Sequence, residues 1–319
     1  MIYLVSTVIC ENKASLEYAP EIFGFFRDRV DKGRIDSKPE SAILYHMRIL
    51  VVGGGGREHA LVWKLASDSC KPDIFCAPGN AGTGGIASNL DIGAEDMEGI
   101  VAWARSNRPD LTIVGPEAPL CAGLTDRLQS LGLAVFGPAK DAARLEGSKL
   151  FAKEIMEAGG VPTARARAFS DVQDALNYIE SCDFPLVVKA DGLAAGKGVV
   201  VCQERQDAEK AIREILESRV FGSAGNVLLI EECLAGEEAS ILALVDGQNI
   251  VMLASSQDHK RAFDGDKGPN TGGMGAYSPA PVVTSDLWPV IREEVFGRTL
   301  AELRKRGIVY KGILYAGLM

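Results

Sequence analysis

The sequence lacks any apolar run approaching the roughly 18 residues that a helical membrane span needs. It has no CxxC pair: the seven cysteines, Cys10, Cys70, Cys76, Cys121, Cys182, Cys202 and Cys233, are odd in number and scattered. That excludes a disulfide framework and reads as reduced thiols in a cytoplasmic protein. Histidine is scarce, with three widely dispersed residues, which leaves little to build a zinc site. Positive charge is also in deficit: 34 Lys and Arg against 43 Asp and Glu give a net charge of −9. Phosphate contacts dominate nucleic-acid affinity, so a general nucleic-acid binder is disfavoured. A small anionic substrate needs only a local cluster of donors and stays open. Internal repeats and long low-complexity tracts are absent. What is present, 47% hydrophobic and 24% charged residues over 319 positions, suffices for the cores of about two globular domains.

Residues 1–46 differ in character from the rest. Met1 to Cys10 is apolar without a basic leader, and the acids Glu11, Glu17, Glu21, Asp28, Asp31, Asp36 and Glu40 follow. Neither a secretory signal nor a transit peptide fits. Met47 then opens a clean buried strand, and the expectation is that Met47 is the natural start, with 1–46 an extension of uncertain origin. From 47 to 147 short apolar strands (49–52, 73–76, 111–114, 133–136) alternate with helices (58–66, 97–106). This pattern predicts a doubly wound parallel-sheet α/β domain. Over 148–319 the pattern predicts a second, α+β domain. It has helices at 148–158, 171–180, 204–218 and 285–306, and strands at 186–189, 199–202, 240–245 and 250–253, one ending at Glu231 and one over 312–319. A long Gly/Pro/Asp-rich loop is expected over 259–281.

Four stretches carry chemistry. Gly53-Gly-Gly-Gly56-Arg57-Glu58-His59 lies between a strand and a helix, where backbone N–H groups and the helix dipole suit a phosphate. A dinucleotide fingerprint fails, because Glu58 stands at its third glycine and Cys76–Asn80 offers no ribose-holding acid. A sugar monophosphate fits better, and a purely structural turn is the alternative. Lys189-Ala-Asp-Gly192-Leu-Ala-Ala-Gly196-Lys197-Gly198 departs from a Walker loop by one residue of spacing and by Gly198 at the Ser/Thr position. It joins two strands, so it reads as a flap over a triphosphate or as an ordinary hairpin. Lys189 lies in an apolar strand and needs an anionic partner.

The third stretch, Glu231-Glu232-Cys-Leu-Ala-Gly-Glu237-Glu238, ends a strand in acids that could accept from ribose hydroxyls, or that form a solvated turn. The fourth runs from Gln257-Asp258-His259-Lys260-Arg261 to Gly268–Tyr277. Its bare backbone can approach a carboxylate or phosphate. His259 reads equally as a general base or as a positioning group.

Together these residues resemble the phosphoribosylamine–glycine ligase (glycinamide ribonucleotide synthetase) family of the ATP-grasp superfamily. GGGGREHAL, PGNAGT, VGPEAPL, LEGSK, VVKADGLAAGKGV, IEECLAGEE, SQDHKR and GPNTGGMGAYSPAP follow in that family's order from Met47 to Met319. The resemblance implies an N-terminal domain holding phosphoribosylamine and an ATP-grasp domain clasping ATP. By the same resemblance ATP would phosphorylate glycine and the amine would attack the glycyl phosphate, giving glycinamide ribonucleotide, ADP and phosphate in purine (IMP) synthesis. Carried over residue by residue, Lys149 and Lys189 contact ATP phosphates, with Gly192, Gly196, Lys197 and Gly198 as the flap. Glu231, Glu232, Leu234 and Glu238 hold adenosine. Asp258, Lys260, Asn270, Thr271, Gly272 and Met274 face glycine and the acyl phosphate, and Gly55, Arg57, Glu58, Asn80 and Glu117 border the phosphoribosylamine site. Lys189, Lys197, Asp258 and Lys260 are the expected catalytic group.

In this family a strand like 312–319 continues into a Glu-Phe-Asn segment whose Glu and Asn bind magnesium or manganese. Those ligands are expected beyond Met319, together with a closing C-terminal domain, so this chain alone is expected to show little ligase activity. The expected partners are glycine and 5-phosphoribosylamine, with no nucleic acid and no membrane, for a cytoplasmic monomer. Rival readings are an ATP-grasp ligase for another carboxylate, an inactive nucleotide-binding fragment and, disfavoured by Glu58, a nicotinamide oxidoreductase.

Overall fold

The structure, a computed structural model, describes residues 47–68, 71–194, 198–265 and 267–319, with the backbone alone for 223, 260, 261, 269, 270 and 272. They fall into two compact units that do not follow chain order. One holds residues up to Ala139 with Glu238–Trp288 and Tyr310–Leu318; the other holds Lys140–Glu237 and Pro289–Val309.

The first unit is built on a five-stranded parallel sheet. Its strands are β1 (Arg48–Gly53), β2 (Asp73–Pro78), β3 (Ser88–Asn89), β4 (Leu111–Val114) and β5 (Val135–Phe136), in the order β3-β2-β1-β4-β5. β1 is central and buried from Ile49 to Gly53, which is why its sequence runs apolar instead of alternating. Ile49 and Val51 of β1 share one core cluster with Ile74, Cys76, Ile113 and Val62. Val62 belongs to helix α1 (Gly56–Ala66). Helix α2 (Met97–Asn107) starts where Asp96 accepts from Gly99 N–H at 2.9 Å, and its Trp103 ring lies 5.0 Å from that of Phe75. Two short helices, α3 (Glu117–Ala122) and α4 (Leu124–Ser130), follow β4.

The same unit contains an antiparallel sheet of β10 (Ala239–Asp246), β11 (Ile250–Met252) and β14 (Lys311–Leu318), with β10 central and β14 at an edge. The expected long loop at 259–281 is corrected. Most of it is a hairpin of β12 (Gln257–Phe263) and β13 (Lys267–Tyr277), paired antiparallel with register shifts after His259 and Arg261. Glycine-rich strands have weak propensity, so the sequence reads as loop, while the ladder is made of backbone groups that every residue carries.

The second unit has an antiparallel sheet in the order β6-β9-β7-β8, from β6 (Ala166–Phe169), β7 (Leu186–Ala190), β8 (Val199–Cys202) and β9 (Leu228–Glu232). One face packs on α7 (Val172–Ile179) and α8 (Arg205–Leu216). Asp171 caps α7 by accepting from Gln173 and Asp174 N–H at 2.8 and 3.0 Å. In α8, Ala208, Ala211, Ile212 and Ile215 are buried at helical spacing, each large side chain contributing about 2 kcal/mol. Helices α5 (Lys140–Gly147) and α6 (Lys149–Gly159) precede the sheet.

The helix expected at 285–306 is found over 287–305, in three contiguous stretches. It is α9 (Leu287–Val290), a π-helical turn Ile291–Gly297, and α10 (Arg298–Lys305). Ile291 and Phe296 are both buried five positions apart, the spacing of a π-turn, whereas Thr299, Leu300 and Leu303 return to α spacing.

Candidate active site

In β7 the alternation of a strand resolves an apparently uniform run. Leu186, Val188 and Ala190 enter the core with Leu228 and Ile230 of β9. Val187 and Lys189 therefore take the opposite face, with Leu229 and Glu231. The register pairs Val187 with Glu231 and Lys189 with Leu229, so Lys189 and Glu231 are diagonal neighbours. Lys189 Nζ donates to Glu231 Oε2 at 2.8 Å, which supplies the anion that a lysine in an apolar strand requires.

Helix α6 adds two more ammonium groups at i and i+4. Lys149 Nζ donates to the carbonyls of Ala190 and Gly192 at 2.8 and 3.0 Å, at the start of the Gly-rich loop. Lys153 is buried; its Nζ donates to Thr163 Oγ1 at 2.8 Å and Ala164 O at 2.6 Å, and lies 3.6 Å from Glu231 Oε2. Burial pushes both ammonium groups below the ordinary lysine value, with Asp191 opposing this at Lys149 and Glu231 at Lys153. Asp191 fastens the loop to the helix, its Oδ1 accepting from Leu150 N–H at 2.7 Å and from Ser148 Oγ at 3.1 Å. Ser148 caps α6 by accepting from Phe151 N–H.

Glu232, the next residue of β9, accepts from the backbone N–H of Arg165 at 2.8 Å and from its guanidinium at 2.9 Å, which holds its carboxyl below the usual range. Leu234 is exposed beyond it. Three lysines against Glu231 and Asp191 make this a locally cationic site suited to a polyanion.

Lys153 and Asp191 were missed among the candidate site residues. The available signal was a lysine four positions after Lys149, inside the apolar stripe of Phe151 and Ile155. Gly192 and Gly198 flank the loop, while Gly196 and Lys197 lie outside the described residues.

The other unit gathers a second group at the β1–α1 turn. Gly55 caps α1 and donates its N–H to Glu58 Oε2 at 2.7 Å. Glu58 is 3% exposed, and its Oε1 has no hydrogen-bond partner among the described residues, with Arg57 Nε at 3.9 Å. Arg57 Nη2 donates to Glu117 Oε2 at 3.3 Å. Asn80 Nδ2 donates to Gly54 O at 3.0 Å, and its Oδ1 accepts from Gly82 and Thr83 N–H. Gly54 is fixed by close approach, since a Cβ there would meet Gly79 O at 2.6 Å. Gly55, Arg57, Glu58, Asn80 and Glu117 thus converge as one set.

Asp258 and Lys260 lie on β12, and Asn270, Thr271, Gly272 and Met274 on β13. Thr271 Oγ1 accepts from Gly273 N–H and Met274 is exposed. The surroundings of Lys260, Asn270 and Gly272 lie outside what is described. The His259 ring packs 5.5 Å from that of Tyr277. Glu238 directly precedes β10.

Among the described residues no group of three or more His, Cys, Asp or Glu side chains is gathered around a common centre. No described helix is long and apolar enough to cross a membrane.

The phosphoribosylamine–glycine ligases of Yersinia pestis and Allochromatium vinosum are 50% and 52% identical to the chain over 275 residues, covering 86% of it and 64% of each relative. The chain thus spans a little under two thirds of their length. A crystal structure of the Thermotoga maritima phosphoribosylamine–glycine ligase superposes with a TM-score of 0.73 at 37% identity, over 86% of this chain and 65% of that one. Residues 47–146 match the phosphoribosylglycinamide synthetase N domain, and residues 147–319 match the phosphoribosylglycinamide synthetase ATP-grasp (A) domain. The chain belongs to the phosphoribosylglycinamide synthetase family and has its α/β, ATP-grasp fold.

Proposed function

We propose that this chain binds ATP and takes part in joining glycine to 5-phosphoribosylamine, giving glycinamide ribonucleotide, ADP and phosphate in purine (IMP) synthesis. The observation that supports this best is the gathering of Lys149, Lys153 and Lys189 at the base of the Gly-rich loop. On this reading Lys149 and Lys189 meet the triphosphate and Lys197 closes over it, with Glu231, Glu232, Leu234 and Glu238 around adenosine. The β12–β13 hairpin, with Asp258, Lys260, Asn270, Thr271, Gly272 and Met274, faces glycine. The Gly55–Glu58 turn with Asn80 and Glu117 borders phosphoribosylamine.

A carboxylate is a poor electrophile, and phosphorylation gives it a leaving group. A glycine oxygen attacks the γ-phosphorus, and the bond to ADP breaks. The amine nitrogen then attacks the carbonyl carbon and loses a proton, and the carbon–oxygen bond to phosphate breaks. Most of the rate comes from positioning and from neutralising phosphate charge. A divalent magnesium or manganese ion, when bound, adds to that neutralisation. We place the reaction in the cytoplasm and the protein as a monomer.

The test is ATP binding by the purified chain, followed by ADP formation with glycine and phosphoribosylamine, singly and together. Turnover that requires both supports the reading; ATP binding with little turnover is the outcome expected of this chain taken alone. Equal turnover with another carboxylate moves it to a different ligase, and failure to bind ATP overturns it.

A further inference from the structure

We infer that Lys153 is a positioning residue that keeps the Glu231 carboxylate paired while Lys189 leaves it for a nucleotide phosphate. This rests on the reading of Lys189 as a phosphate ligand.

Glu231 is the fixed point of the cluster. Its side chain is 5% exposed and meets two ammonium groups on the same oxygen, Oε2: Lys189 at 2.8 Å and Lys153 at 3.6 Å. The two lysines are not equivalent. Lys153 is 9% exposed and anchored by Thr163 Oγ1 and Ala164 O, so two of its three donors are committed and it stays in place. Lys189 is 27% exposed and stands at the end of β7, where the Gly-rich loop begins. It is the member of the pair that can turn toward a ligand.

Turning has an electrostatic consequence. A buried carboxylate that loses its only counter-charge is strongly disfavoured. If Lys189 were that only counter-charge, a phosphate would have to extract it against the full cost of stranding Glu231. With Lys153 already beside Oε2, a shift of under about 1 Å turns a 3.6 Å ion pair into a hydrogen bond. Lys189 is then free to exchange carboxylate for phosphate. Lys153 meets no substrate in this scheme; it acts through Glu231.

The coupling has a signature that a purely packing role does not share. The measurement is the ratio of ATP to adenosine affinity by equilibrium titration, for the wild-type chain, Lys153→Met, Lys153→Arg, Glu231→Gln and the Glu231→Gln/Lys153→Met double variant. Lys153→Met is expected to lower the ratio about tenfold, and Lys153→Arg to recover most of it. In the Glu231→Gln background no carboxylate is left to strand, so removing Lys153 is expected to change the ratio by less than about threefold. Should Lys153→Met fail to fold, Thr163→Val loosens the same ammonium and is expected to lower the ratio in the same direction. An unchanged ratio in the single variants overturns the inference, as does an equal loss with and without the Glu231 carboxylate. In either case ATP binding by the wild type leaves the nucleotide reading standing. A wild-type chain that does not bind ATP overturns both.

Discussion

Glu58 occupies the space that a side chain on Gly115 would need. A Cβ on Gly115 would fall 2.6 Å from the carboxyl carbon of Glu58. The buried carboxylate thus ties two sheet turns together, the one after β1 through Gly55 N–H and the one after β4 through the bare face of Gly115. Gly115→Ala is expected to force Glu58 aside and to destabilise the chain by about 1–3 kcal/mol in urea unfolding. Gly85→Ala is the control: a Cβ there meets nothing within 4 Å, and a change within about 0.5 kcal/mol is expected. Equal effects at both positions would show that the Glu58 contact does not matter.

The pairing of Glu231 with two lysines sets an order of stabilities. Glu231→Ala leaves Lys153 buried without its carboxylate and is expected to cost about 3–5 kcal/mol. Lys189→Met removes the more exposed partner while Lys153 remains, and is expected to cost clearly less. Chemical denaturation of the two variants side by side checks this, and the reverse order would refute it.

The start of α6 depends on two side chains. Ser148→Ala loses the cap on Phe151 N–H and is expected to cost about 1 kcal/mol. Asp191→Ala loses the acceptor of Leu150 N–H and of Ser148 Oγ together and is expected to cost more. Hydrogen exchange should rise at residues 149–152 in both variants. Unchanged protection there would show that α6 is held by packing alone.

Alkaline pH offers a separate handle. Burial pushes the Cys202 thiol up to about 11 from an ordinary value near 9. The folded chain then holds a proton at this site that the unfolded chain releases between those values. The contribution is whole below pH 9 and is lost as pH rises toward 11, by up to about 3 kcal/mol. Unfolding measured from pH 8 to 11 should show a shallower decline for Cys202→Ala than for the native chain. Parallel declines would place the thiol's ionisation elsewhere.

Much of the fold was legible because its signals are local. The apolar runs of β1 and β4, bounded by glycine turns, announced a parallel sheet, and Ser148 and Asp171 marked helix starts that became caps. The β12–β13 hairpin was hidden because its pairing is made by backbone atoms that composition does not report. The π-turn at Ile291–Gly297 was hidden because its reason is the burial of Ile291 and Phe296 together, which depends on what packs against them.

The candidate site divides in the same way. Residue types and their order determined the family motifs, the Gly-rich loop and the need of Lys189 for an anion, since those follow from side-chain chemistry and spacing along one strand. Only the tertiary structure decided that the anion is Glu231, that Lys153 shares it, and that Glu58 is buried against Gly115. Each of these joins residues far apart in the chain, and the register between strands and the face a helix turns inward are fixed by packing, not by any one segment's sequence.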